Sequence, residues 1–282
     1  MNRLREFAPA KVNLALHVTG RRADGYHLLD SIVVFPRIGD TLEIDVADEL
    51  ALTVDGPFGG PLADEPDNLV LRAARLMGER AARLHLTKRL PIASGIGGGS
   101  ADAAATLRLI ARYRGRSLPD EASTLGLGAD VPVCVASRPA RMSGIGEQLE
   151  PLALPEFWLV LVNPGIGVAT PQVFQSLQSR ENAPLPDAPS AGDLNAWLAY
   201  LRAARNDLEA PATVIAPEIG EVISAISSQR GCHLARMSGS GATCFGLFGR
   251  EVEAEAAAKD LTTRAPDWWV EAGAVRDELP TA

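Results

Sequence analysis

The segment Pro91-Ile92-Ala93-Ser94-Gly95-Ile96-Gly97-Gly98-Gly99-Ser100-Ala101-Asp102-Ala103-Ala104 decides how the rest of the chain is read. It follows an alternating run at 84–90 and opens an alanine-rich stretch, a succession of strand, glycine loop and helix. Four of the five residues from 95 to 99 are glycine. Backbone N–H groups there are uncovered by side chains and free to converge on one anion. A helix over 100–114 turns its positive end to the same point. These features favour a phosphate cradle over a turn made only for close packing. Neither familiar phosphate signature applies. No lysine follows the glycines, as G-x-x-x-x-G-K-[ST] requires, and the last position of G-x-G-x-x-G is Ser100.

The 282 residues suffice for about two domains with separate cores. With 46% hydrophobic and 22% charged residues, the composition is that of a water-soluble globular protein. A net charge of -8 works against a nucleic-acid or anionic-membrane partner, so a small anion needs positive groups placed locally. The three cysteines form no C-x-x-C pair, which suggests neither a disulfide framework nor zinc and fits a reducing cytoplasm. The charged start and the lack of any long apolar run predict no signal peptide and no membrane span.

From Pro9 the chain alternates, with Val12, Leu14, Leu16 and Val18 on one face of a strand and Lys11, Asn13 and His17 on the other. That polar face is either solvated or a place where Lys11 and Asn13 act together. Tyr26 and His27 follow a turn at 21–25 and are placed either to stack on a flat ring or to cap a core edge. Strands are expected at 31–35, 41–46 and 50–54, and a helix begins at Asn68, a cap-region residue.

Helix 100–114 is expected to bury one stripe, Ala103, Ala104, Leu107, Ile110 and Ala111, and to end at Gly115. Asp130 stands between Gly128 and Pro132, ahead of a strand expected at 131–135. There it either serves a turn or is a carboxylate presented from rigid backbone. Residues 141–150 read as a loop.

Beyond a boundary between 153 and 154 come a strand at 157–162, a helix from Pro171 and a disorder-prone stretch at 183–192. Helices follow at 194–202 and 217–229. Strands 233–237 and 243–248 flank Ser238-Gly239-Ser240-Gly241-Ala242, which by itself reads as a hairpin turn. A helix and a strand at 268–275 complete an α+β plan.

Three separated pieces, Pro9-Ala10-Lys11-Val12-Asn13-Leu14, residues 91–104 and residues 237–243, together resemble the GHMP kinase superfamily over most of the chain. Within it, Gly25-Tyr26-His27, Gly128-Ala129-Asp130-Val131-Pro132 and Arg205-Asn206-Asp207-Leu208-Glu209 resemble the branch that phosphorylates the 2-hydroxyl of 4-diphosphocytidyl-2-C-methyl-D-erythritol in the non-mevalonate route to isoprenoid precursors. The resemblance implies two domains, 1–153 ribosomal-protein-like and 154–282 ferredoxin-like, with the site in the cleft between them.

It further implies that Asp130 is the catalytic base and Lys11 its partner. Pro91, Ala93, Ser94, Gly95, Ile96, Gly97, Gly98, Gly99 and Ser100 would hold ATP, with Asn68 near the adenine. Asn13, Tyr26, His27, Thr170, Phe174, Gly239, Ser240 and Gly241 would hold the cytidylyl substrate, Tyr26 and Phe174 on the faces of the cytosine and His27 on its edge. Mg²⁺ would arrive with ATP at no permanent protein site, Ser100 offering one hydroxyl ligand. The active species is expected to be a monomer or homodimer.

Homoserine or mevalonate kinases are rival readings, but those substrates leave Tyr26, His27 and Phe174 without a ring to bind. A galactokinase reading lacks its acidic sugar-recognition segment. A non-catalytic RNA module calls for a basic face, which the acidic composition opposes.

Overall fold

The fold is taken from a computed structural model that describes residues 4–63, 65–190 and 192–276. The N-terminal half contains β1 (Leu4–Pro9), β2 (Val12–Arg21), β3 (His27–Val34), β4 (Gly39–Val46), β5 (Ala51–Asp55), α1 (Leu69–Leu76), β6 (Ala82–Thr87), α2 (Gly98–Arg114), α3 (Glu121–Leu125), α4 (Val131–Ala136), β7 (Ala140–Gly144) and β8 (Gln148–Pro151). After it come β9 (Phe157–Asn163), α5 (Thr170–Gln175), α6 (Leu194–Ala203), α7 (Glu209–Ile215), α8 (Glu218–Ser227), β10 (Cys232–Met237), β11 (Cys244–Phe248), α9 (Glu251–Arg264) and β12 (Trp269–Val275).

Among the described residues the strands form three four-stranded sheets, β1-β4-β6-β5, β2-β3-β7-β8 and β10-β11-β9-β12, in which only β5 and β6 pair in parallel. In the third sheet the path β9-α8-β10-β11-α9-β12 is a βαββαβ unit with its first strand beside its fourth, the ferredoxin-like plan. Helices α5 to α7 are inserted between β9 and α8, which sets them against the first half of the molecule.

Helix α2 is the axis of the N-terminal half. The sequence suggests one buried stripe, yet every residue from 101 to 107 is buried. The helix packs at once against α1, α4, β1 and β4. Its alanines allow neighbours to approach from several sides, and Leu107 and Ile110 meet Leu42, Ile44, Leu84 and Leu86 in the core. Gly115, at φ 62°, ends the helix as expected.

Two other expectations need correction. Residues 131–135 form α4, not a strand. Pro132 suits a first helical turn, and a short apolar run buried all round carries no period that separates strand from helix. Residues 141–150 are not a loop but most of hairpin β7–β8. Their two glycines serve only its turn, where Gly146 takes φ 116° and the Glu147 carboxylate accepts the Ile145 N–H at 2.6 Å.

The stretch 183–192 is held at its start. Leu185 is buried, its N–H donates to Asp30 at 2.8 Å, and Arg141 donates to its carbonyl at 2.7 Å. These bonds come from residues distant in sequence, so composition gave no hint of them. Helix α7 also escaped the sequence reading. Among the described residues no helix is long and apolar enough to cross a membrane.

Below the glycine loop lies a buried charge cluster. Lys88, 2% exposed, donates to Asp40 at 2.5 Å and to Asp102 at 2.6 Å. The other Asp40 oxygen accepts the N–H groups of Arg89 and Leu90 at 2.5 and 2.9 Å. Burial, with Asp40 beside it, pushes Asp102 up to about 7 against the pull of Lys88. The cluster ties the end of β6 to β4 and to the first turns of α2, and so fixes both ends of the loop between them.

His17 makes a second long-range tie. Its Nε2 accepts the Arg205 N–H at 3.2 Å, so the proton rests on Nδ1, which lies 2.9 Å from the Ala183 carbonyl. Burial lowers its pKa, the Ala183 bond opposing.

Two stability results are expected. Lys88→Met leaves two buried carboxylates without their cation and should cost about 3–5 kcal/mol in urea unfolding, with Asp102→Asn costing clearly less. For His17 the folded pKa lies below the unfolded value of about 6.5, so the unfolded state binds the proton first as pH falls. The stability it supports is complete above that value and declines below it, and His17→Gln should flatten the decline measured between about pH 6.5 and 5.

Candidate active site

The glycine loop does not stand alone. A Cβ on Gly95 would lie 2.6 Å from the Gly241 carbonyl oxygen and 2.7 Å from that of Ser238, while one on Gly239 would lie 2.7 Å from the Gly95 oxygen. The loop and the β10–β11 hairpin therefore meet backbone to backbone, with Gly95 at φ 78° and Gly239 at φ 56°. Hydrogen bonds lock the contact: Thr243 N–H to Ser94 O at 3.1 Å, Ser238 Oγ to Gly95 O at 3.1 Å, and Asn13 N–H to Ser238 Oγ at 3.1 Å. Asn206 holds the hairpin from behind, donating to the carbonyls of Met237 and Gly239 at 2.8 and 2.9 Å.

Above this floor opens a cleft of about 1100 Å³, lined by residues of both halves. At its centre Lys11 Nζ donates to Asp130 Oδ1 at 2.8 Å. The chain breaks strand pairing between β1 and β2, and the Lys11 N–H goes instead to Ile96 O at 2.9 Å, which sets the lysine against the loop. Its side chain is 6% exposed, that of Asp130 33%, so the carboxylate is the member open to the cleft. Gly97 leaves room for the pair: a Cβ there would lie 3.3 Å from Lys11 Cβ and 3.8 Å from Asp130 Oδ2.

Lys11, Asn13 and Ala15 are all buried, so the polar face of this strand is not a solvated one. Ser31 donates its hydroxyl to Ala15 O at 2.6 Å and accepts from Asn13 Nδ2 at 2.8 Å, which fixes the amide's orientation. Asn13 Oδ1 is then left buried with no hydrogen-bond partner among the described residues, 3.5 Å from where a Gly239 Cβ would sit. An acceptor so placed is suited to a donor on a bound molecule.

At the other end of the cleft the His27 and Phe174 rings stack directly, centroids 4.6 Å apart at 24°. Tyr26 lines the cleft but is 61% exposed and makes no ring contact among the described residues. His27 Nε2 is buried without a partner among the described residues. Burial first, then the charges of Arg21 and Arg180, hold the His27 pKa below its ordinary value. Thr170 Oγ1 lies 2.7 Å from Ser240 Oγ, which joins α5 to the hairpin tip.

Of the residues singled out from sequence, the cleft lining includes Lys11, Asn13, Tyr26, His27, Ala93, Ser94, Gly95, Gly97, Gly98, Gly99, Ser100, Asp130, Thr170, Phe174, Gly239 and Ser240. Four are elsewhere. Ile96 is in the core, Pro91 accepts the Ser94 hydroxyl at 2.6 Å, and Gly241 lies under the hairpin against Met237. Asn68 caps α1, its Oδ1 accepting the Val70 N–H at 2.9 Å. Sequence reasoning missed Arg21, Arg180 and the Lys88 cluster, none of which carries a local pattern.

The model of the GHMP kinases N terminal domain matches residues 68–138, and that of the GHMP kinases C terminal matches residues 181–267. A 4-diphosphocytidyl-2-C-methyl-D-erythritol kinase from Cereibacter sphaeroides is 56% identical over 94% of this chain and 96% of its own. One of the same name from Ruegeria pomeroyi is 55% identical over 95% and 98%. A crystal structure of 4-(cytidine 5'-diphospho)-2C-methyl-D-erythritol kinase superposes with a TM-score of 0.80 at 34% identity, covering 96% of this chain and 98% of that one. Homoserine kinase from Cytophaga hutchinsonii, at a TM-score of 0.64 and 16% identity over 98% and 95%, shares the fold alone. With more than half its residues identical over nearly its whole length, and with the glycine loop, hairpin and cleft assembled as above, this chain belongs to the 4-diphosphocytidyl-2-C-methyl-D-erythritol kinase family of GHMP kinases.

Proposed function

We propose that this protein transfers the γ-phosphoryl group of ATP to the 2-hydroxyl of 4-diphosphocytidyl-2-C-methyl-D-erythritol. The observation that carries this reading is the Lys11–Asp130 pair at 2.8 Å, set in one cleft between the glycine loop and the aromatic residues. Phosphoryl transfer proceeds through a loose transition state, so the protein's work is positioning, charge stabilisation and removal of one proton. Asp130, open to the cleft, accepts the proton of the substrate hydroxyl as its oxygen bonds to the γ-phosphorus and the bond to the ADP oxygen breaks. Lys11, anchored against Asp130 and the loop, faces the negative charge on the phosphoryl oxygens.

The amides of 97–100 and the positive end of α2 suit the ATP phosphates. Mg²⁺ comes with ATP as part of the substrate, and Ser100 supplies a hard oxygen of the kind that ion accepts. Asn13 Oδ1 serves as acceptor for a substrate hydroxyl. The cytosine lies between Tyr26 and Phe174 with its edge on His27. A base in that position replaces the present His27–Phe174 contact, and the exposed Tyr26 is free to close on its other face. We place the domain boundary between residues 153 and 154, the reaction in the cytoplasm, and the active species as monomer or homodimer.

The direct test is ADP release from Mg-ATP with 4-diphosphocytidyl-2-C-methyl-D-erythritol, 2-C-methyl-D-erythritol 4-phosphate, homoserine and mevalonate. Turnover is expected with the cytidylyl compound alone, and turnover with another alcohol in its place overturns the substrate. Asp130→Asn should lower kcat by about 10²- to 10⁴-fold while changing both KM values only a few-fold. Normal turnover in that variant removes the base.

A further inference from the structure

Three cations line the cleft, Lys11, Arg21 and Arg180. Lys11 is paired with Asp130. For Arg21 and Arg180 no carboxylate lies within ion-pair distance among the described residues. The Arg21 Nε donates to the Gly25 carbonyl at 3.2 Å. Asp24, the other carboxylate at the cleft, is paired with Arg22 at 2.8 Å. In a chain of net charge -8, two guanidinium groups facing one cleft with no ion-pair partner among the described residues make a local positive field.

They reach the aromatic end from two sides on anchored backbone. Arg21 ends β2 directly opposite His27 in the ladder with β3. Arg180 lies in the segment after α5, which carries Phe174. Two residues further on, Asn182 is fixed to the Val18 carbonyl through both its N–H (3.1 Å) and its Nδ2 (3.0 Å), and to Asp207 through Nδ2 (3.1 Å). Both charges act on the His27 ring, adding to the effect of its burial. The stacked pair, the unpartnered His27 Nε2 and the two cations form one patch suited to a flat base with an anionic group attached.

The amides of the glycine loop are committed to ATP in the function proposed above, so a second anionic substrate needs its own counter-charges. Resting on that reading, we infer that Arg21 and Arg180 are specificity-determining residues that grip the diphosphate of the cytidylyl substrate and select it over uncharged alcohols. Guanidinium forks suit phosphate oxygens, and each charged hydrogen bond of this kind is worth about a tenfold or greater change in affinity.

The test compares CDP with cytidine by calorimetric binding, without turnover, in the wild type, Arg21→Ala/Arg180→Ala and Arg21→Lys/Arg180→Lys. CDP is expected to bind the wild type at least about tenfold tighter than cytidine, with an advantage that shrinks as salt is raised. The double alanine variant should lose most of that advantage, and the lysine variant should keep part of it. In steady state the double alanine variant should raise KM for the cytidylyl substrate while KM for ATP stays within about twofold. An unchanged CDP-to-cytidine ratio in the double alanine variant overturns the inference, as does a rise in KM for ATP alone. If the wild type turns over no cytidylyl substrate, the proposed function fails, and the CDP-to-cytidine comparison still decides the role of the arginines.

Discussion

The site depends on a contact that only glycine permits. The glycine loop and the β10–β11 hairpin press carbonyl oxygens to within 2.7 Å of where Cβ atoms would be at Gly95 and Gly239. One loop is 143 residues from the other, as counted between Ser238 and Gly95. Side chains at either position would wedge the halves apart and separate the loop from Lys11, whose backbone is bonded to Ile96. Everything the cleft does rests on this seam, because it sets the distance between the two binding ends.

Charge is arranged around the seam in layers. Deepest is the Asp40–Lys88–Asp102 cluster, which holds the loop's flanks from below and carries two carboxylates on one ammonium. Next is the Lys11–Asp130 pair, half open to the cleft. Outermost are Arg21 and Arg180, which lack carboxylate partners among the described residues. Buried pairs lock geometry because breaking one strands a charge, whereas exposed cations remain free to bind and release an anion. The order from locked to free follows the order from scaffold to ligand.

The aromatic end shows why a set of candidate residues does not by itself give a site. Tyr26, His27 and Phe174 were all legible as ring-binding candidates, and all three line the cleft. Yet Phe174 stacks on His27, and Tyr26 is exposed. Which ring lies against which is set by the approach of α5 to the β2–β3 hairpin, a matter of packing between elements far apart in the sequence.

Local chemistry determined much by itself. Glycine spacing at 95–99, the alanines of α2, the strand alternation from Pro9 and the small-residue turn at 238–242 marked the glycine loop, its helix, the lysine strand and the hairpin, because each is written in consecutive residues. Tertiary structure decided the rest. It made 131–136 a helix, since an apolar run buried all round has no period to read. It paired 140–144 with β3 and pinned Leu185 through Asp30 and Arg141. It buried Lys88 between carboxylates 48 and 14 residues away, and left Arg180 without one among the described residues. Hydrogen bonds and ion pairs between distant segments leave no trace in local composition, since either partner alone looks like an ordinary surface residue until the fold brings the other beside it.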